Sequence, residues 1–215
     1  MGQDDDTPST LWQRPADGTG TPELLLAAEP SGSTMQDNVW QMAFVPGDRE
    51  IVFRRQRVAP GAPDAGDVWR APLDGGAAEP LFETSALEEH AVVAPDGRWL
   101  AYTSDETGTQ EVYVRSYPDM GPRTLVSLGG GAFPVWTRDG SELFYWGLSG
   151  NWLVSASLQL DGASATVLDR TRLFRSGRFR NQANRNYDVH PNGQEFVMVG
   201  GLPSRIVVRV NALDP

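Results

Sequence analysis

An all-β fold assembled from repeated four-stranded antiparallel units is what this sequence predicts. Three observations carry the prediction. A strand–turn–strand pattern recurs in register along the chain, a second strand motif follows it at each recurrence, and no stretch sustains helical periodicity over three turns. Composition agrees: the 215 residues include 23 Gly and 16 Pro, while 40% are hydrophobic. That is many structure breakers together with enough apolar material for a packed core.

The first pattern occupies residues 40–53, 89–102, 132–145 and 185–198, each an apolar run, a tight turn and a second apolar run. Pro46, Pro95, Arg138 and Pro191 align without gaps at intervals of 49, 43 and 53 residues. Those intervals are close to the ~40–50 residues of a four-stranded propeller blade. Asp96-Gly97, Asp139-Gly140 and Asn192-Gly193 supply the hairpin turns, because Gly takes the positive φ such turns require. The second motif is clearest in Leu11-Trp12-Gln13-Arg14-Pro15-Ala16-Asp17-Gly18 and Val68-Trp69-Arg70-Ala71-Pro72-Leu73-Asp74-Gly75. Looser copies begin at Val112 and Trp152, and each leads into a further apolar stretch such as Leu24-Leu25-Leu26, Leu81-Phe82 or Leu125-Val126.

Taken in order, the elements are an acidic, disordered N-terminus over residues 1–9 and a partial blade over 10–28. Full blades follow over 38–84, 88–128 and 132–175, then a second partial blade over 185–212. Each full blade has strands a to d, counted from the inside outward. The first unit lacks its inner two strands, so the expectation is an open arc. A closed ring would require residues 22–27 to pair beside residues 205–211.

Residues 93–106 followed by Glu111-Val112-Tyr113-Val114-Arg115 resemble the Pro-Asp-Gly variety of WD40-like propeller repeats. So do residues 134–145 and Tyr187-Asp188-Val189-His190-Pro191-Asn192-Gly193. The pattern is similar to that of bacterial TolB-like propellers, in particular the sensor propellers fused to membrane serine/threonine kinases. It covers roughly residues 10–212. The resemblance implies a binding platform for a protein, peptide or glycan, and it carries over no catalytic residue. The chain departs from the pattern at Gly47-Asp48, where Asp-Gly is expected, and at Arg138, where Pro is usual.

Composition excludes much chemistry. There is no Cys, and all 18 basic residues are Arg, so thiolate sites, disulfides, Schiff bases and the phosphate-binding P-loop are absent. Two His cannot build a three-His zinc centre. The net charge of −10 opposes nucleic-acid binding. No apolar run is long enough to insert into a membrane, and Met1-Gly2-Gln3-Asp4-Asp5-Asp6 is unlike a secretory signal. The compartment follows only from the resemblance, which implies a periplasmic or extracytoplasmic place within a larger sensor protein.

Alternating strand direction puts the a–b and c–d turns on one face and the b–c and d–a connections on the other. Turn geometry accounts for the Asp and Gly of the first face. The second face carries the longer, more varied loops, where binding usually resides. There, residues 170–187 hold Arg170, Arg172, Arg175, Arg178, Arg180 and Arg185 without an acid between them, interleaved with Phe174, Phe179 and Tyr187. Arg suits bidentate capture of carboxylates and stacks on aromatics; a solvated outer strand and connector is the plainer explanation. Arg178, Arg180 and Arg185 are the candidates for an anion-favouring patch.

Gln41, His90, Phe133 and Asn186 fall at one repeat position, the start of each inner strand, which faces the mouth of the central channel. Gln41, His90 and Asn186 therefore join the ligand-binding candidates. Strand alternation is expected to send Glu89 and His90 to opposite faces, which argues against a metal role. The Trp side chains at 40, 69, 99, 136 and 152 are expected in cores, His190 in a packed or hydrogen-bonded strand position, and Asp105-Glu106 in solvent.

An enzymatic alternative remains: propellers also cap prolyl-oligopeptidase-type hydrolases. The nearest match to their G-x-S-x-G elbow is Gly147-Leu148-Ser149-Gly150-Asn151, which lacks the last Gly and is followed by no helix. A glycan-processing site built from paired carboxylates finds no support in any spacing. The reading is a noncatalytic recognition module without cofactor or metal, with the propeller half of a serine peptidase as the alternative. Its ligand is an unidentified protein, peptide or acidic glycan, and its open blade edges favour self-association.

Overall fold

The computed structural model describes residues 10–26, 36–47, 50–58, 66–82, 84–175, 185–199 and 206–209. Among these, seventeen strands form five antiparallel sheets and no helix is present. The first sheet pairs β1 (Leu11–Gln13) with β2 (Glu23–Leu26). The first full blade runs β3 (Gln36–Phe44), β4 (Glu50–Val58), β5 (Gly66–Pro72), β6 (Glu79–Pro80). The second runs β7 (Glu88–Val93), β8 (Trp99–Ser104), β9 (Glu111–Ser116), β10 (Thr124–Leu125), and the third β11 (Gly131–Trp136), β12 (Glu142–Gly147), β13 (Trp152–Asp161), β14 (Ser164–Arg175). The last sheet holds β15 (Tyr187–Val189), β16 (Phe196–Val199) and β17 (Ile206–Arg209).

Each strand pairs with its sequence neighbour, so every blade is a meander with order a-b-c-d. The arc is open: β2 pairs with β1 and β17 with β16, in separate sheets. Residues 1–9 and the connector holding Arg178 and Arg180 lie outside the described residues.

The a–b turns form as their sequences dictate. Gly97, Gly140 and Gly193 all have φ of 73°. The preceding Asp96, Asp139 and Asn192 side chains each accept the backbone N–H two residues on, at 2.9, 3.1 and 3.0 Å. At Gly47 the left-handed residue sits one position earlier in the repeat, with φ of 81°, which explains the inverted Gly47-Asp48 order.

The cores lie between blades, not within them. Period-two alternation sends Ile51, Phe53 and Ala71 toward the first sheet, where they meet Leu11, Leu25 and Leu26. Val45, Val52 and Val68 turn the other way to pack on Val93, Leu100 and Tyr102 of the second blade. Trp99, Ala101 and Val114 then meet Trp136, Leu143 and Tyr145, and Phe144, Trp146 and Leu153 meet Tyr187, Phe196 and Met198.

Several expectations need correction. Trp99 and Trp136 are buried, and Trp69 and Trp152 are part-buried, but Trp40 is 47% exposed. His190 is hydrogen-bonded, its Nδ1 accepting the Asn192 N–H at 3.2 Å, but it is exposed and lies just beyond β15 rather than in the strand. Asp105 and Glu106 are part-buried and engaged: Asp105 accepts the Leu87 N–H at 2.8 Å, and Glu106 pairs with Arg123 at 2.7 Å. Arg170 is no solvated edge residue, because its Nε donates to the Val126 carbonyl at 2.5 Å and stitches the third blade to the second.

Candidate functional site

The inner strands are interrupted by bulges. In β3, β7 and β11 the pairing register shifts between Trp40 and Ala43, Glu89 and Val92, and Ala132 and Val135. At the centre of each bulge stands a non-glycine residue in the left-handed region: Gln41 at φ 53°, His90 at 56° and Phe133 at 60°. Bulges re-aim side chains. Here Gln41 meets His90 across the first and second full blades, and His90 meets Phe133 across the second and third.

The contacts are specific. The Gln41 Oε1 accepts the His90 backbone N–H at 2.8 Å, so the Gln41 Nε2 must be the donor toward the His90 Nε2, 3.0 Å away. His90 Nε2 therefore carries the lone pair, and the proton of the neutral ring sits on Nδ1, 3.6 Å from the Glu89 Oε1. The His90 ring packs against Phe133 in a tilted arrangement, with centroids 4.1 Å apart and planes at 56°. Glu89 is in turn held by the Gln110 Nε2 at 2.7 Å and by Arg54 at 4.0 Å. Glu89 and His90 thus do not diverge to opposite faces, because the bulge cancels the alternation on which that expectation rested.

Gln41, His90 and Phe133 line a pocket of about 260 Å³ with Met42, Ala43, Ala91, Val92, Pro134 and Arg185. Of the six ligand-binding candidates, Gln41, His90 and Arg185 come together here. Asn186 does not line the pocket: its Oδ1 accepts the Trp146 indole N–H at 3.2 Å and its carbonyl accepts the Val199 N–H at 2.8 Å. Arg178 and Arg180 lie outside the described residues. The next residue, Tyr187, donates its hydroxyl to the Phe133 carbonyl at 2.6 Å, so the last sheet is tied to the bulge of the third blade.

Glu88, which precedes Glu89 and His90, is not among the six site candidates of the sequence. Its side chain is almost wholly buried, Oε1 accepting the Thr84 hydroxyl at 2.7 Å while Oε2 finds no hydrogen-bond partner among the described residues. Burial pushes its pKa up to about 7, and the negative charges of Asp67, Glu106 and Asp105 add to the rise. No sequence signal marks it, since Glu88 and Glu89 read alike. Among the described residues no group of three acids or His could hold a metal ion. Ser149 is exposed in the hairpin between β12 and β13, without the strand-to-helix geometry of a nucleophile elbow.

Several solved structures share this fold. TolB from Acinetobacter baumannii superposes with a TM-score of 0.65 at 16% identity, over 96% of this chain and 47% of that one. The chain has a TolB-like β-propeller fold. A puromycin-hydrolysing peptidase from Mycobacterium tuberculosis matches it with a TM-score of 0.60 at 18% identity, over 96% of this chain and 38% of that one. An oligogalacturonate lyase, in complex with manganese, matches at 0.60 and 15% identity, over 88% and 50% of the two chains. In sequence, Tricorn protease homolog 1 of Streptomyces coelicolor is 36% identical over 109 residues, 47% of this chain. The chain spans a tenth of that relative and about half of the matched TolB. No protein-family model matches it.

Proposed function

We propose that this TolB-like propeller segment is a noncatalytic recognition module that binds a carboxylate-bearing peptide or acidic glycan at the channel mouth. The observation that carries the reading is the convergence of three bulged inner strands on one pocket with an exposed guanidinium, Arg185, at its side. Strained left-handed residues of this kind cluster at ligand clamps. The polar side chains at the centre are locked to one another, Gln41 to His90, rather than forming a nucleophile–base pair. The floor of Met42, Ala43, Ala91, Val92, Phe133 and Pro134 accepts an apolar group beside the anion. The repeats are of the Pro-Asp-Gly type, as in propellers that serve membrane kinases as sensors.

An exposed ion pair contributes only ~0.2–1 kcal/mol, so binding is weak and salt-sensitive. Calorimetric titration with acidic peptides and oligogalacturonate tests this. Binding at low salt should fade at high salt, and Arg185→Ala should weaken it several-fold. Replacing Arg178, Arg180 and Arg185 together by Ala should abolish it. Unchanged affinity in the triple variant would sink the proposal.

A second reading is favoured by a separate observation, the 36% identity to the Tricorn protease homolog. There the chain is the propeller part of a peptidase, and the same pocket receives a peptide on its way to a catalytic domain. The full-length reading frame separates the two: a neighbouring G-x-S-x-G domain supports the peptidase, and a kinase with a membrane span supports the sensor.

A further inference from the structure

Gln41 of β3 holds His90 of β7 at two points, and the two bonds make opposite demands on its amide. Its Oε1 accepts the His90 backbone N–H at 2.8 Å, and its Nε2 faces the His90 Nε2 at 3.0 Å. Both bonds are made only while the ring Nε2 is a bare acceptor. A proton there sets donor against donor. Turning the amide over offers Oε1 to the new N–H but strips the His90 backbone N–H of that acceptor. No orientation of Gln41 serves a charged His90 at both points.

The other side of the ring is built for the charge. The Glu89 Oε1 stands 3.6 Å from Nδ1, with the His90 and Glu89 side chains only 6% and 11% exposed. The Gln110 Nε2 donates to the same carboxylate at 2.7 Å and keeps it in place. From the neighbouring elements, β4 brings Arg54, 4.0 Å from Glu89, and Arg185 ahead of β15 lines the same pocket as His90. On β7 itself Glu88 precedes Glu89, and β5 brings Asp67, whose charge bears on Glu88. The Tyr102 phenol of β8 is kept neutral by burial, and β11 carries no acid or base.

We propose that His90 is an acid-operated latch between the first and second full blades. A proton taken from solvent onto Nε2 releases one arm of Gln41, and Glu89 holds the imidazolium that forms. The two bonds join left-handed residues, Gln41 at φ 53° and His90 at φ 56°, so losing one of them loosens both bulges. The imidazolium is also a second cation in the pocket of Arg185. Acid therefore strengthens capture of a carboxylate there, a consequence that rests on the recognition reading, whereas the latch does not.

Nuclear magnetic resonance tests the latch without a ligand, because the chain has two His and the exposed His190 serves as an internal standard. From about pH 9 to about pH 4, the His90 ring signals and the Gln41 side-chain amide signals should move together with one midpoint. Gln41→Ala should shift the His90 midpoint to higher pH, and Glu89→Gln should shift it to lower pH. Neither should move the His190 midpoint. A His90 that merely packs on Phe133 predicts no such opposed shifts. In Glu88→Gln the joint movement should persist, which separates the latch from the titration of that carboxyl. His90 signals that titrate while the Gln41 amide stays still, or that do not titrate in this range, would overturn the proposal. That comparison uses the unaltered protein, so it decides even where a variant fails to fold. An unmoved midpoint in folded Gln41→Ala would overturn it too. Joint titration without a gain in affinity for acidic peptides toward acid would support the latch and count against the recognition reading.

Discussion

Gln41, His90 and Phe133 hold a backbone conformation that costs an L-residue on the order of 1–3 kcal/mol. Hydrogen bonds and ring contacts across blades offset that cost. The Gln41 amide grips both ends of His90, and Phe133 receives the His90 ring and the Tyr187 hydroxyl. Glu88 carries the opposite kind of strain, a carboxyl whose charge the surroundings do not support. Its pKa, raised from 4.5 to about 7, fixes the sign of a pH effect. The folded state holds the proton more tightly than the unfolded state, so the stabilisation is full below pH 4.5 and is lost as pH rises through about 7. Glu88→Gln should therefore leave stability nearly unchanged at pH 4 and raise it at pH 8 by roughly 1–3 kcal/mol. Denaturant melts of both proteins across that range check it; a gap that shrinks toward alkaline pH would refute the assignment.

At the scale of the element, each strand serves two cores because its two faces turn toward different blades. Phe144 on β12 illustrates the consequence. It is fully buried and meets Phe196 of the last sheet edge to face, with centroids 5.0 Å apart. Phe144→Ala should cost about 3–5 kcal/mol, and the loss should loosen the docking of β15 and β16 before it disturbs the pairing of β12 with β11 and β13. Leu168→Ala on β14, where the side chain is 62% exposed, should be close to neutral. Equilibrium unfolding of both variants gives the comparison. The long outer strand β14 keeps its place through Arg170 and through the Thr124 hydroxyl, which donates to the Ala165 carbonyl at 2.8 Å.

For the whole molecule, stability is distributed as in other repeat folds, through nearest-neighbour interfaces along an arc. Among the described residues the second and third blades have a neighbour on both sides, whereas the first and last sheets have one. Amide exchange should accordingly be slowest in β8, β9, β12 and β13. It should be fastest in β1–β2 and β15–β17, where only one interface opposes opening. Uniform protection across the five sheets would contradict the nearest-neighbour picture.

The sequence by itself determined the strands, the hairpin turns and the blade architecture. These depend on local chemistry: Asp or Asn before Gly makes the turn, and alternating apolar residues make strands with two buried faces. It also placed Gln41, His90 and Phe133 at one repeat position. The tertiary structure alone decided what that position does, because nothing in Gln, His or Phe announces a left-handed bulge. Only the adjoining blades hold the bulge in place. The same holds for Glu88 and Glu89, adjacent and identical in type, of which one has a buried oxygen without a hydrogen-bond partner among the described residues and the other joins a network with His90, Gln110 and Arg54. It holds again for Phe44 and Val93, equivalent in the repeat and opposite in exposure. Their difference lies in what packs on them among the described residues, a contact between distant parts of the chain that no local pattern encodes.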